Sequence, residues 1–330
     1  MKIGFFTANY AHLSIEEVAK IASDHGYEML EIPSYLGNGQ LDTENIVKDK
    51  ELRNRVLKTV KDHGLEISAL SNHADSLLIL GPHSSDTDKL FAGTKEEKIK
   101  YGTDSLILSA QAAHDMEIPI VIGFTGVTNW GRYFPFPSAT GWSEMEEEFT
   151  ERFTPILDKF KEYGVKFAVE PHPNNFIYDI HTALKAVELV DNHPNFGYNL
   201  DPANLVYLGE GVVENFIDMV GDRIFHVHAK DGEVVKHNIQ RGGILMQGDW
   251  QRLDRAFRFR IPGWGSVNWK HVITELAMVG YDYVLSYEHE DVTMSVGDGV
   301  EKVIAFLQPL IIKAPYEGRR DKIFNNPRED

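Results

Sequence analysis

The chain has 330 residues, 42% of them hydrophobic, so it can bury a large core. Its length would suit two domains, although α/β barrels run past about 250 residues as one. Fifty acidic against 33 basic residues give a formal charge of −17, which argues against a nucleic-acid backbone or an anionic membrane as the main partner. The absence of cysteine excludes disulfides, zinc–thiolate sites and cysteine nucleophiles together.

The N-terminal MKIGFFTANYAHLS turns polar too soon for a signal peptide, and no stretch approaches the ~18 apolar residues of a membrane span. A soluble cytoplasmic protein is the expectation. In chain order, residues 2–7 read as a strand. Ser14, with Glu17 three residues on, makes a capping box for a helix that stops at Gly26. Residues 27–33 (YEMLEIP) are a second strand ending near Glu31, and a charged amphipathic helix over 48–63 closes at Gly64. A third strand, 65–70, leads into Ser71, Asn72 and His73. The helix 95–116 precedes a fourth strand, 118–123, whose following loop, FTGVTNWGRYFPFPSATGW, is aromatic and long enough to suggest function or mobility.

The helix 143–163 leads to strand 165–169. The helix 179–192, strand 196–201, a short helix over 213–220 and strand 223–230 come next. The segment 231–267 reads as irregular. Helix 268–279, strand 281–288 and helix 295–312 complete the pattern, before a polar tail from Lys313 suited to mobility or to clasping a neighbouring subunit.

Eight strand–helix units without a Pro-, Gly- or Ser-rich linker predict a parallel sheet with right-handed crossovers. That number suits a closed (β/α)8 TIM barrel: one domain over residues 1–313 with an insertion at about 232–267, then a tail at 314–330. A doubly wound sheet would want a glycine-rich phosphate turn after the first strand, which TANYAHLS is not.

Four strand ends share one design. VKFAVEPHP ends in Glu170, with Pro171 and Pro173 stopping the strand around His172; FGYNLDPANL presents Asp201, RIFHVHAKD presents His228 and YDYVLSYEHED presents Glu288. In a barrel the C-terminal ends of all strands face one mouth. Three carboxylates crowded there repel one another unless a cation compensates. Three oxygens and one imidazole suit Mn²⁺, Mg²⁺ or Co²⁺ better than structural zinc. The alternative is a buried hydrogen-bonded cluster without metal.

Neighbouring residues carry further expectations. Asp231 lies three residues past His228 and is expected to orient it or Lys230, and is a candidate substrate contact. His226 shares the parity of His228 and reads as a hydrogen-bonded barrel histidine. His172, and His73 beside Asn72, face the mouth as candidate substrate contacts; Glu31 reads equally well as a solvated strand-end acid. In the insertion, Arg252 and Arg255 suit a solvated or subunit-contact surface. Arg260, before the Pro262-Gly263-Trp264-Gly265 turn, is the candidate to bind a substrate oxygen. Trp130, Phe134, Phe136 and Trp264 would wall a sugar face or pack loops onto the barrel.

Together AVEPHP, NLDPANL, HVHAKD, RIPGWG and SYEHED resemble the sugar phosphate isomerase/epimerase family, whose xylose-isomerase-like barrel is shared with endonuclease IV. The resemblance runs from the first strand to the last helix. It implies that Glu170, Asp201, His228 and Glu288 bind one divalent ion, Mn²⁺ first among Mn²⁺, Mg²⁺ and Co²⁺. It also implies that Glu170 and Glu288 exchange protons beside a sugar carbonyl and that Arg260 binds substrate. Many members carry a substrate-binding histidine three residues after the metal aspartate; Asn204 stands there in this chain and is the candidate substrate contact at that position. The endonuclease IV branch binds three zinc ions and grips DNA, which the −17 charge and the single ligand set argue against.

A narrower likeness, in GFTGVTNWGRYFPFP, EEEFTERFTPILDKFKEYGVKFAVEPHP and the insertion ending RIPGWG, is to a subgroup linked to 3-oxo-sugars. That subgroup includes the catalytic subunits of C-glycoside deglycosidases. The expected activity is therefore a metal-dependent sugar isomerase or epimerase acting through an enediolate. The alternatives are a lyase cleaving 3-oxo-glucosides after the same enolisation, and a non-catalytic sugar-binding barrel. The expected partners are a small sugar substrate and further copies of the chain, with a small second subunit if the protein is a lyase.

Overall fold

A computed structural model describes residues 1–35, 40–132, 140–209, 213–246, 248–249 and 251–313; Phe134, Phe136 and the 314–330 tail lie outside these. Eight parallel strands close a barrel: β1 (Lys2–Phe6), β2 (Met29–Pro33), β3 (Glu66–Ser71), β4 (Ile120–Gly123), β5 (Lys166–Val169), β6 (Phe196–Leu200), β7 (Ile224–Ala229) and, after an inserted hairpin of β8 (Asp231–Val234) and β9 (Phe257–Arg260), β10 (Val284–Tyr287). The order around the barrel is β1-β10-β7-β6-β5-β4-β3-β2. The protein is a (β/α)8 barrel, as the alternation of elements predicts.

Helices cover the outside. Ser14 and Glu17 form the expected capping box, and Thr94 and Glu97 form a second at the head of the helix Lys95–Asp115. The helix Glu146–Tyr163 buries Phe149, Phe153 and Phe160 against Phe167, Phe176 and Phe196, a continuous apolar core outside the strands. Among the described residues no helix is long and apolar enough to cross a membrane.

The barrel interior changes character along its axis. Ala69, Ile120, Ile122, Ala168 and Phe225, with Tyr283 against them, form an apolar cluster separate from the outer core. Gly197 is obligatory beside it, since a Cβ there would lie 2.5 Å from the Phe225 ring. Next comes a polar layer in which His226 bonds Asn199 Oδ1 through Nδ1 at 2.9 Å and Ser68 Oγ through Nε2 at 3.3 Å. Burial holds the His226 ring down to about 3, so it is neutral. His226 is thus the barrel histidine its strand parity suggests. Above it stand the charged groups of the mouth.

The segment expected to be irregular contains a hairpin. β8 pairs antiparallel with β9, with Asp231 opposite Arg260 and Glu233 opposite Arg258. The FRFR of β9 alternates, burying Phe257 and Phe259 against Ala203 and Val206. More than twenty residues separate the two strands, so no short turn announces the pairing in sequence. Inside that connection Arg255 is buried and donates to the carbonyls of Met246, Gly248 and Asp249. It braces the insertion and does not form the solvated surface expected of it. Arg252 pairs with Asp254 near the surface.

Candidate metal centre and active site

Four adjacent strands, β5, β6, β7 and β10, supply the mouth. Glu170 follows β5, Asp201 follows β6, His228 lies in β7 and Glu288 follows β10. Register brings them level: Leu200 is opposite Val227, and Ser286 is opposite His228. Each residue offers one ligand atom, and all four atoms lie within 4.8 Å of one another. His228 Nδ1 is 3.0 Å from Glu170 Oε2, 3.0 Å from Glu288 Oε2 and 3.9 Å from Asp201 Oδ2. Glu170, Asp201 and His228 are buried, and Glu288 is partly exposed at the mouth.

The groups around these four hold them in place. His228 Nε2 donates to Glu31, 3.1 Å from each carboxylate oxygen, which leaves Nδ1 free to face the other acids. Ser286 Oγ donates to Glu31 Oε2 at 2.7 Å. Glu31 is therefore fully buried and is not a solvated strand-end acid. Glu170 accepts from Asn199 Nδ2 at 2.9 Å and Asn204 Nδ2 at 2.8 Å, one on each oxygen. Asn204 thus grips Glu170. His73 bridges Ser71 Oγ at 2.6 Å and Glu170 Oε2 at 3.0 Å. The helix Pro202–Leu208 begins on Asp201, whose Oδ1 accepts from Ala203 N at 2.9 Å.

Charge is distributed unevenly among these acids. Burial would raise Glu170, but His228 and His73 hold it well below the usual carboxylate range. Burial would also raise Glu288, and Lys230 with His228 draws it down to about 2. Asp201 goes the other way: complete burial, aided by Glu170 and Glu288 and only partly offset by Lys230, pushes it up to about 8. Burial works against the His228 imidazolium, yet Glu31, Glu288 and Glu170 raise it well above its ordinary value.

Lys230, which the sequence offers only as a group for Asp231 to orient, stands at the centre of the site. Its Nζ lies 2.6 Å from Glu288 Oε2, 2.8 Å from Asp201 Oδ2 and 2.9 Å from Glu290 Oε2, with the side chain 2% exposed. A signal for it exists: His226, His228 and Lys230 share strand parity, so all three face the barrel interior.

Two candidates turn elsewhere. Asp231 does not orient His228 or Lys230, and it does not line the cavity where a substrate would sit. It accepts from Gly232 N, Gly263 N, Val267 N and Trp269 Nε1 at 2.8–3.1 Å, which pins the insertion's return to the barrel. Arg260 donates from Nε to Asp291 at 2.8 Å and from Nη1 to Glu233 at 2.6 Å, so its guanidinium ties the hairpin to the loop after β10. Trp264 is half exposed beside that guanidinium, and Trp130 packs edge-on against Tyr178.

A cavity of about 270 Å³ opens over the donors, lined by Glu170, Glu288, His73, His172, Lys230 and Glu290 among others. His172 sits in this wall with Nδ1 2.6 Å from the Pro173 carbonyl and its ring 5.0 Å from Phe124. Larger hollows of about 660 and 790 Å³ lie at the opposite end of the barrel, but the converging donors are at the mouth, where barrel chemistry takes place.

The model of the xylose isomerase-like TIM barrel family matches residues 19–310. The chain belongs to that family. Among curated proteins it is 24% identical to the uncharacterized protein YfiH of Bacillus subtilis (strain 168) over 323 residues, 94% of this chain and 99% of the other. It is 24% identical to the 3-dehydroshikimate dehydratase of Bacillus anthracis over 234 residues, 70% and 72% of the two chains. Among solved structures, the 3-keto-D-glucoside 4-epimerase YcjR of E. coli superposes with a TM-score of 0.65 at 16% identity, covering 94% of this chain and 99% of the other. The IolI protein with a bound zinc atom superposes with a TM-score of 0.65 at 18% identity, covering 94% and 98%. At these identities the structural likeness establishes the fold.

Proposed function

We propose that the protein is a divalent-metal-dependent isomerase or epimerase of a ketose or keto-sugar, moving a proton at the carbon beside the carbonyl through an enediolate. One observation carries the reading. Three carboxylates and one imidazole converge in a buried mouth, and two inward atoms, His228 Nδ1 and Asp201 Oδ2, have no partner in hydrogen-bond geometry. Such atoms are costly unless something binds them, and a cation of the Mn²⁺, Mg²⁺ or Co²⁺ type fits a three-oxygen, one-nitrogen set. Zinc in the IolI structure and the epimerase name of YcjR support the same reading by fold relationship.

Glu170, Asp201, His228 and Glu288 would hold the ion, which when bound supplies Lewis-acid polarisation of the sugar's carbonyl and adjacent hydroxyl. The rest falls to the protein. Glu170 and Glu288 come from the two ends of the four-strand arc and both line the cavity. One removes the proton and the other returns it. Asn199 and Asn204 fix Glu170 through both of its oxygens, so its orientation is set before substrate arrives. His73 and His172 line the cavity wall and offer contacts to sugar hydroxyls.

The test is exchange of the substrate's α-proton with solvent deuterium, followed by NMR on a panel of ketoses and 3-keto-sugars with the Mn²⁺-loaded protein. Glu170→Gln and Glu288→Gln should each slow exchange by roughly 10²–10⁴-fold. Undiminished exchange in both variants would sink the mechanism. A lyase reading keeps the same proton abstraction but ends in elimination. The dehydratase among the relatives favours it, and release of free aglycone from a 3-oxo-C-glucoside would replace sugar interconversion as the outcome.

A further inference from the structure

Lys230 is a buried cation to which the reaction above gives no task. Its ammonium touches three acids, and two of them, Asp201 and Glu288, are proposed metal donors. The third, Glu290, is not a donor; it is 42% exposed and lines the same cavity. The backbone cannot carry Lys230 away. β7 holds it on one side, and on the other Asp231 is anchored by four N–H groups. The Phe259 ring lies 4.5 Å from Nζ, so the ammonium is confined between that ring and the acids.

A divalent ion and an ammonium drawn to the same two oxygens repel each other, and burial leaves little water to screen them. Asp201 is not fully engaged by the ammonium. Lys230 Nζ is close to its Oδ2, yet that oxygen remains without a hydrogen bond of proper geometry. Glu290 offers the displaced ammonium an acceptor already within 2.9 Å.

We propose that Lys230 is an internal counter-ion of the metal site. It neutralises Asp201 and Glu288 when the ion is absent and is handed to Glu290 at the cavity rim when the ion binds. Metal affinity is then set by a competition between the ion and the chain's own lysine. The inference rests on the metal reading above.

Calorimetric titration of metal-stripped protein with Mn²⁺ tests it through the signs of two substitutions. Lys230→Met keeps the unbranched stem and removes the competitor, so Mn²⁺ should bind at least tenfold tighter. Glu290→Gln removes the negative charge that receives the ammonium, so Mn²⁺ should bind at least threefold weaker. In the double variant the Glu290→Gln effect should vanish, because no ammonium remains to be relocated. If Lys230→Met does not fold, Glu290→Gln alone still decides: affinity equal to wild type overturns the hand-over. Wild-type protein that binds no Mn²⁺ overturns the metal reading itself. Wild-type binding with Lys230→Met no tighter, or a Glu290→Gln effect that persists without Lys230, overturns only the counter-ion.

Discussion

Asp201 and Asp231 are the same residue at the same kind of place, each buried just past the end of a barrel strand, and they do opposite things. Asp231 is surrounded by neutral donors: three backbone N–H groups and the Trp269 indole, all within 3.1 Å. The chain is shaped to reach it. Gly265 approaches so closely that a Cβ there would lie 2.1 Å from Asp231 Oδ1, and Gly263 turns at a φ of +87°. Asp201 has one backbone N–H on Oδ1, while its Oδ2 faces Lys230 and two other acids without a hydrogen bond. A buried acid satisfied by the fold holds the fold together. A buried acid left facing other acids is a place for a ligand.

The contrast breaks most visibly under truncation. Asp231→Ala strands four donors in the interior and should cost about 3–5 kcal/mol of stability, read by urea unfolding. Asp201→Asn should move the stability of the metal-free protein by less than about 1 kcal/mol, or raise it, because it relieves crowding among carboxylates. The same variant should lose at least roughly 100-fold in Mn²⁺ affinity, beyond what loss of a supporting group costs. If Asp201→Asn destabilised the metal-free protein as much as Asp231→Ala, the distinction between the two aspartates would be wrong.

A group that belongs to both kinds sharpens the comparison. Glu31 is satisfied, by His228 and Ser286, yet its partner is a proposed ligand. Glu31→Gln keeps the volume and weakens the hold on the His228 ring, so Mn²⁺ affinity should fall roughly 10–100-fold with a smaller effect than Asp201→Asn. Titration calorimetry at one pH is sufficient. An unchanged affinity would mean that β7 alone orients the imidazole.

How much of this could be read in the sequence follows from the range of each interaction. The barrel, its eight strands and the four strand-end residues are local patterns: short apolar runs ended by Glu-Pro, Asp-Pro or a charged group, each visible within ten residues. Glu31 sits in a strand whose every residue is buried, and only its partners across the barrel, 197 and 255 residues away in sequence, distinguish it from a solvated acid. The spacing of Asp231 from His228 shows proximity along the chain, whereas the donors that claim it include Gly263, Val267 and Trp269. Arg260 faces Glu233 because β9 folds back on β8, a pairing hidden by the long connection between them. Lys230 is the exception, since its parity with His228 is visible locally.

The last of the expected effects concerns the clasp between the insertion and the mouth. Asp291 accepts from Arg260 Nε at 2.8 Å and from Thr293 N and Oγ1 at 2.8 and 2.6 Å. Burial alone would raise its carboxyl, but the Thr293 and Arg260 hydrogen bonds prevail and hold it below the ordinary 3.8. The folded state therefore keeps this carboxylate ionised at pH values where the unfolded chain has taken up a proton. The stability it contributes is complete above pH ~3.9 and is lost as pH falls through the folded value. Asp291→Asn should cost about 1.5–3 kcal/mol at neutral pH, the worth of hydrogen bonds to a charged group. Its thermal midpoint should then converge on that of wild type as pH falls through the lowered folded value, where Asp291 is itself neutralised. A gap that stays constant through the acid limb would show that the clasp depends on the shape of the side chain and not on its charge.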